Sequence, residues 1–192
     1  MIKNKENINI PEPSIEEVEK YLEKWKRNEE YCNKEKALKK LFLKLCPKNT
    51  DIKDILLKAS TLNDFYSTNI YSIYLVAERI LDSNIDSRLK TFDETIVEEI
   101  QSVDIGDKTW NFYSFASKYC SHHNSKDYPI YDSYVDEVLW YFKCRDKENN
   151  KPSFSNFKRK DLKDYAKFKG IILEFCDKYG LNNYNLKQID QY

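Results

Sequence analysis

Only three glycines and five prolines occur in 192 residues. Tight reversals of an all-β chain need many residues that tolerate positive φ or a preset turn, so this scarcity steers the chain to helices. Apolar residues make up 41% and aromatic residues 15%, with 15 Tyr, 10 Phe and 3 Trp. That is ample material for one core, and tyrosine packs its ring while keeping a polar tip. The expected fold is all-α: a compact, two-lobed helical domain over 14–192, with residues 1–13 as a disordered or frayed tail.

The helical repeat is legible in several places. Ser14 and Glu17 have capping-box spacing ahead of Ile15, Val18, Leu22 and Trp25. Leu38, Leu41, Phe42 and Leu45 mark a second helix stopped by Pro47. Thr50 is placed to cap a third, with Ile52, Ile55, Leu56 and Ala59 on its inner face. A polar crossover at 62–69 leads to a helix on Ile73, Tyr74, Ala77, Ile80 and Leu81, then a shorter one on Ile96, Val97 and Ile100. A turn at Gly106 precedes a helix over 110–123, and a short loop with Pro129 leads to a helix opening near Asp132. Residues 145–155 read as a surface loop. A long last helix carries Leu162, Tyr165, Ile172, Leu173, Cys176 and Tyr179 and ends at Gly180, with a short helix after Asn185. In the expected packing, the first helices and this long helix form one lobe, and 62–143 supplies much of the other.

Thirty-two basic and 32 acidic side chains cancel, so no global field selects nucleic acid or an anionic membrane. From Arg145 to Lys169, nine basic residues face four acidic ones, which makes Lys158, Arg159 and Lys160 the candidate phosphate contacts. Five widely spaced cysteines, none in a CxxC pair, read as reduced thiols of a cytoplasmic protein. No apolar run approaches the ~20 residues of a membrane helix, so no membrane partner is expected. His122 and His123 point to different sides of a helix and lack a second cluster of ligands, so neither a metal site nor a cofactor is expected.

The segment WNFYSFASKYCSHHNSKDYPIYDSYV, residues 110–135, concentrates the chemistry. On a helix, Phe112, Phe115, Ala116 and Tyr119 form an apolar stripe, while Asn111, Ser114, Lys118, Ser121 and His122 form a polar one. Fourteen residues after Lys118 comes Asp132, just past Pro129-Ile130-Tyr131. Such an Asp is both a favoured N-cap and a candidate catalytic carboxylate.

A lysine on a helix, a short loop, then Pro-x-x-Asp-Ser-x-Val opening the next helix resembles the active-site segment of the helix-hairpin-helix DNA glycosylase superfamily, nearest to its 8-oxoguanine glycosylase-like branch. The resemblance implies a base-excision hydrolase acting on DNA. It assigns Asp132 as the catalytic carboxylate and Lys118 as the candidate amine nucleophile. His122, Ser114, Tyr131 and Tyr134 would contact substrate in the cleft between the lobes. That family places two glycines in a hairpin before the lysine helix, whereas only Gly106 stands here. Lys118 precedes Asp132 by 14 residues and Lys108 by 24, on either side of the family's usual gap, so both lysines remain open. The alternatives are a non-catalytic nucleic-acid-binding module and a helical protein-interaction domain.

Overall fold

The computed structural model describes residues 10–149 and 151–192. Residues 1–9 of the expected tail lie outside the described residues. From Ile10 onward the chain is anchored: Ile10 packs against the core and Pro13 is buried.

The fold is all-α. Among the described residues, ten α-helices accompany one β-hairpin: α1 Ile15–Arg27, α2 Glu29–Lys40, α3 Ile52–Phe65, α4 Ile73–Asp82, α5 Asp86–Thr91, α6 Thr95–Gln101, β1 Ser102–Ile105, β2 Lys108–Asn111, α7 Tyr113–His123, α8 Ser133–Glu148, α9 Tyr165–Lys178 and α10 Leu186–Gln191. One cluster of buried apolar side chains runs from Val18 in α1 to Leu181 beyond α9. α3 packs on α4 and α7, and α6 packs on α7 and α9. The partner of α1 at the far end of the chain is the short α10, whereas the sequence suggested the long last helix. That long helix, α9, instead buries Phe168, Ile171, Ile172 and Phe175.

Several local expectations shift for identifiable reasons. Ser14 accepts from the Glu17 amide at 3.2 Å, but the Glu17 carboxylate turns to Lys20 at 2.8 Å, so half of a capping box forms. After α2 the helix widens into a π-helical turn, Leu41–Leu45. Leu41 and Phe42 are buried in it and Leu45 is exposed. Asp51, not Thr50, caps α3 through the Lys53 amide at 2.8 Å. Tyr74 is exposed on α4, whose buried face is Val76, Ala77 and Ile80. Residues 145–148 extend α8, and Leu162 lies in a 3-10 turn, Arg159–Lys163, ahead of α9. Gly180 ends α9 as expected, with φ of 67° and the Leu181 amide reaching back to the Cys176 carbonyl.

The largest difference precedes α7. Trp110 and Asn111 belong to β2, so the helix begins at Tyr113. Ile105 pairs with Lys108, which leaves the two-residue turn Gly106-Asp107. Gly106 takes φ of 62° and Asp107 does not, the pattern of a type II′ hairpin turn, which wants glycine first.

α7 is the central helix, and a buried polar network holds its end. The Lys58 ammonium donates to the Lys48 carbonyl at 2.9 Å, to Asn49 Oδ1 at 2.5 Å, and faces His123 Nε2 at 3.3 Å. Tyr119 donates to the same Asn49 oxygen at 2.6 Å, while the Asn49 amide nitrogen donates to Asp86 at 2.6 Å. All three N–H bonds of the lysine are used, as burial demands. The network ties the loop before α3 to α5 and α7. Asn49→Ala strands the Lys58 and Tyr119 donors together, so it should lower unfolding stability in urea by about 3 kcal/mol; a loss under about 0.5 kcal/mol would mean the network is not structural.

Candidate active site

α7 is buried on nearly every side. Its apolar residues Phe115, Ala116 and Tyr119 are buried, and so are Ser117 and, of the stripe that the sequence assigned to the polar face, Lys118, Ser121 and His122. Polar side chains enclosed in this way need partners, and those partners shape the site. The Ser117 hydroxyl accepts from the Tyr131 amide at 3.0 Å and lies 3.3 Å from the Tyr131 carbonyl. This clamp fixes the end of the Pro129 loop against α7 and delivers the next residue, Asp132, beside Lys118.

Asp132 divides its two oxygens. Oδ1 caps α8, accepting from the amides of Tyr134 and Val135, both at 3.0 Å. Oδ2 faces the Lys118 ammonium at 3.9 Å. Lys118 donates to Ser114 Oγ at 2.8 Å, one helical turn earlier, and to the Tyr131 carbonyl at 3.3 Å. Its third N–H bond is left for Asp132 or for a ligand. The amine also lies 5.2 Å from the centre of the Tyr66 ring. Burial holds the Lys118 amine below the ordinary lysine range, opposed by the carboxylates of Asp132 and Asp190 and aided by the Lys187 ammonium.

Lys118 and Asp132 line one open cleft of about 1110 Å³. Ser114, Tyr131 and Tyr134 line it as well, so five of the sequence-derived candidates come together. His122 sits behind the wall: it is buried and its Nε2 meets the Tyr66 hydroxyl at 3.0 Å. Lys108 lies on the exposed β2, while Lys118 is the lysine beside Asp132.

Lys158, Arg159 and Lys160 lie on the exposed turn before α9 and do not line the cleft. The Arg159 guanidinium grips the buried Asp136 at 2.6 Å. Downstream, Lys167 pairs with Asp164 at 2.9 Å and Lys169 with Glu94 at 3.3 Å. Carboxylates thus engage Arg159 among the three candidate phosphate contacts, and two lysines beyond them.

Other residues also contribute to the site, and of these Lys187 is the one that the sequence did not single out. Tyr66 comes from the end of α3. Lys163 lines the cleft and donates to the Tyr131 hydroxyl, which in turn donates to Asp136 at 2.9 Å. Lys187 of α10 pairs with Glu35 at 3.1 Å and with Asp190 at 3.3 Å. Tyr113 lines the cleft with its ring 4.6 Å from that of Tyr131. Its hydroxyl is buried without a hydrogen-bond partner among the described residues. An unmet buried hydroxyl costs about 1–3 kcal/mol. Among the described residues no group of three or more His, Cys, Asp or Glu could hold a metal, and no helix is long and apolar enough to cross a membrane.

Residues 17–127 match the family model HI_0787_N, described as an N-terminal domain, and this is more than half of the chain. The chain belongs to that family. The matched span contains α7 with Lys118 and stops before Asp132. The chain is 48% identical over 145 residues to an uncharacterized protein of Haemophilus influenzae, an overlap of 75% of this chain and 66% of that relative. It therefore spans just under two thirds of the relative's length. No solved structure gives a significant match.

The two histidines give the site region a pH signature. Burial pushes His122 down to about 3, with the cations of Lys187 and Lys118 adding to the effect. Burial likewise pushes His123 to about 3, reinforced by Lys58 and His122. Between the ordinary value of 6.5 and about 3, the unfolded chain binds protons at these rings that the folded chain refuses. Stability should therefore fall as pH drops through that window. Urea midpoints measured from pH 7 to pH 4 should show this decline, and His123→Gln should make it shallower; an unchanged slope would mean that the ring is not held neutral.

Proposed function

We propose that the protein is a DNA glycosylase-like enzyme that cleaves the N-glycosidic bond of a modified or damaged base. The observation that carries this reading is the 3.9 Å approach of the Lys118 amine to the free oxygen of Asp132 inside one aromatic-walled cleft. Breaking an N-glycosidic bond builds positive charge on the sugar, and a carboxylate held beside it stabilises that charge. Asp132 is suited to the task because the helix cap employs only its other oxygen. Lys118, desolvated and held by Ser114 and the Tyr131 carbonyl, is suited to act as an amine whose proton is loosely held. A base must leave its stack to be cut, and the rings of Tyr66, Tyr113 and Tyr131 supply walls for it. DNA is the partner in this reading. The five free thiols accord with a cytoplasmic protein.

A second reading, a non-catalytic nucleic-acid-binding module on the same scaffold, draws on the β-hairpin that stands where the glycosylases keep their two-glycine turn. Base release separates the two. Oligonucleotides carrying oxidised, alkylated or deaminated bases should yield abasic sites with the intact protein. Asparagine caps helices as well as aspartate does, so Asp132→Asn should leave the fold intact and cut base release about 100-fold or more. Lys118→Gln should lower it comparably, and full activity in either variant would remove that residue from the mechanism.

A further inference from the structure

We infer that the cleft takes an unpaired DNA strand, gripped by base stacking, and not an intact duplex. This rests on the proposed glycosylase reading of the same site and adds the form of its substrate. Three observations carry it.

The first is size. A cleft of about 1110 Å³ exceeds the roughly 300–1,000 Å³ of ordinary small-ligand pockets, so it has room for a target base together with a neighbour. The second is the rim, where three large rings face water: Tyr31 is 60% exposed, Trp110 52% and Tyr134 78%. Tyr31 and Tyr134 line the cleft directly. Trp110 lies parallel to Phe112, another lining residue, with 6.5 Å between ring centres and 9° between planes. Aromatic faces along a groove are the usual means of holding successive unpaired bases.

The third is electrostatic. A duplex is held largely by phosphate neutralisation, and the chain provides little toward it. Net charge is zero, Arg159, Lys167 and Lys169 are occupied by carboxylates, and the hairpin before α7 sets Asp104 and Asp107 beside Lys108 at its turn.

The test is equilibrium binding by fluorescence anisotropy, using a fluorescein-labelled 12-residue single strand and the same sequence as duplex, at low and moderate salt. The single strand should bind at least tenfold more tightly, with a shallow salt dependence. Trp110→Ala and Tyr134→Ala, which lie on the exposed rim and leave the core untouched, should each weaken strand binding about tenfold, the loss of one stacked base. Equal or tighter duplex binding, no binding of either form, or rim variants that bind normally would overturn the inference. Asp132→Asn separates this from the chemistry, since it should retain strand binding while losing base release. If the strand binds as described but no modified base is ever released, the glycosylase reading falls and the stacking groove stands.

Discussion

A helix buried on nearly all sides cannot keep a solvated polar face, and most of this structure follows from meeting that demand for α7. Ser117, Lys118, Ser121 and His122 are enclosed along with Phe115 and Tyr119. Each enclosed polar group needs an internal partner or costs stability. The hydroxyl of Ser117 takes the Tyr131 backbone, Lys118 takes Ser114 and the Tyr131 carbonyl, His122 takes the Tyr66 hydroxyl, and His123 closes the network of Lys58 and Asn49. Meeting those needs pulls the Pro129 loop, the end of α3 and the loop before α3 onto one helix. The cleft is what remains on the open side of that arrangement.

The same demand explains which parts were legible beforehand. Capping and periodicity are local, so Asp132 at the head of α8, Gly180 at the end of α9 and the short α10 could be read from neighbouring residues. The pairing of Lys118 with Ser114 is a helical neighbour relation and was equally readable. Two kinds of feature were not. The enclosure of the polar stripe of α7 was not legible, because periodicity separates polar from apolar without showing what covers either. Its covers, the π-helical turn and α3, lie some 50 to 80 residues upstream. Lys163, Lys187 and Tyr66 reach the cleft region from other parts of the chain, and no local pattern shows that they meet Lys118 or Tyr131 there. The hairpin was missed for a different reason. Trp110 and Asn111 continue the helical pattern of the residues after them, and a single Gly106 was the only sign that the chain folds back.

The site and its surroundings carry different electrostatic characters. Inside, charge is sparse and desolvated, so each pairing is strong and the amine of Lys118 is kept from its ordinary affinity for a proton. Outside, cations and carboxylates alternate and compensate one another at close range. Such a surface exerts little long-range pull on a polyanion. Recognition would then depend on contact at the cleft itself, through rings and a few directed hydrogen bonds, more than on steering from a distance.

The π-helical turn at Leu41–Leu45 has a consequence for how the chain tolerates change in length. It inserts the Phe42 ring among Tyr119, His122 and His123, with centroids 5.0 to 5.4 Å away. A helix advances about 100° per residue, so trimming a single residue from this turn would swing Phe42 out of that ring cluster while leaving α2 intact. Phasing between the amino-terminal helices and the catalytic candidates is therefore stored in one widened coil, where the gain or loss of one codon would be felt across the molecule.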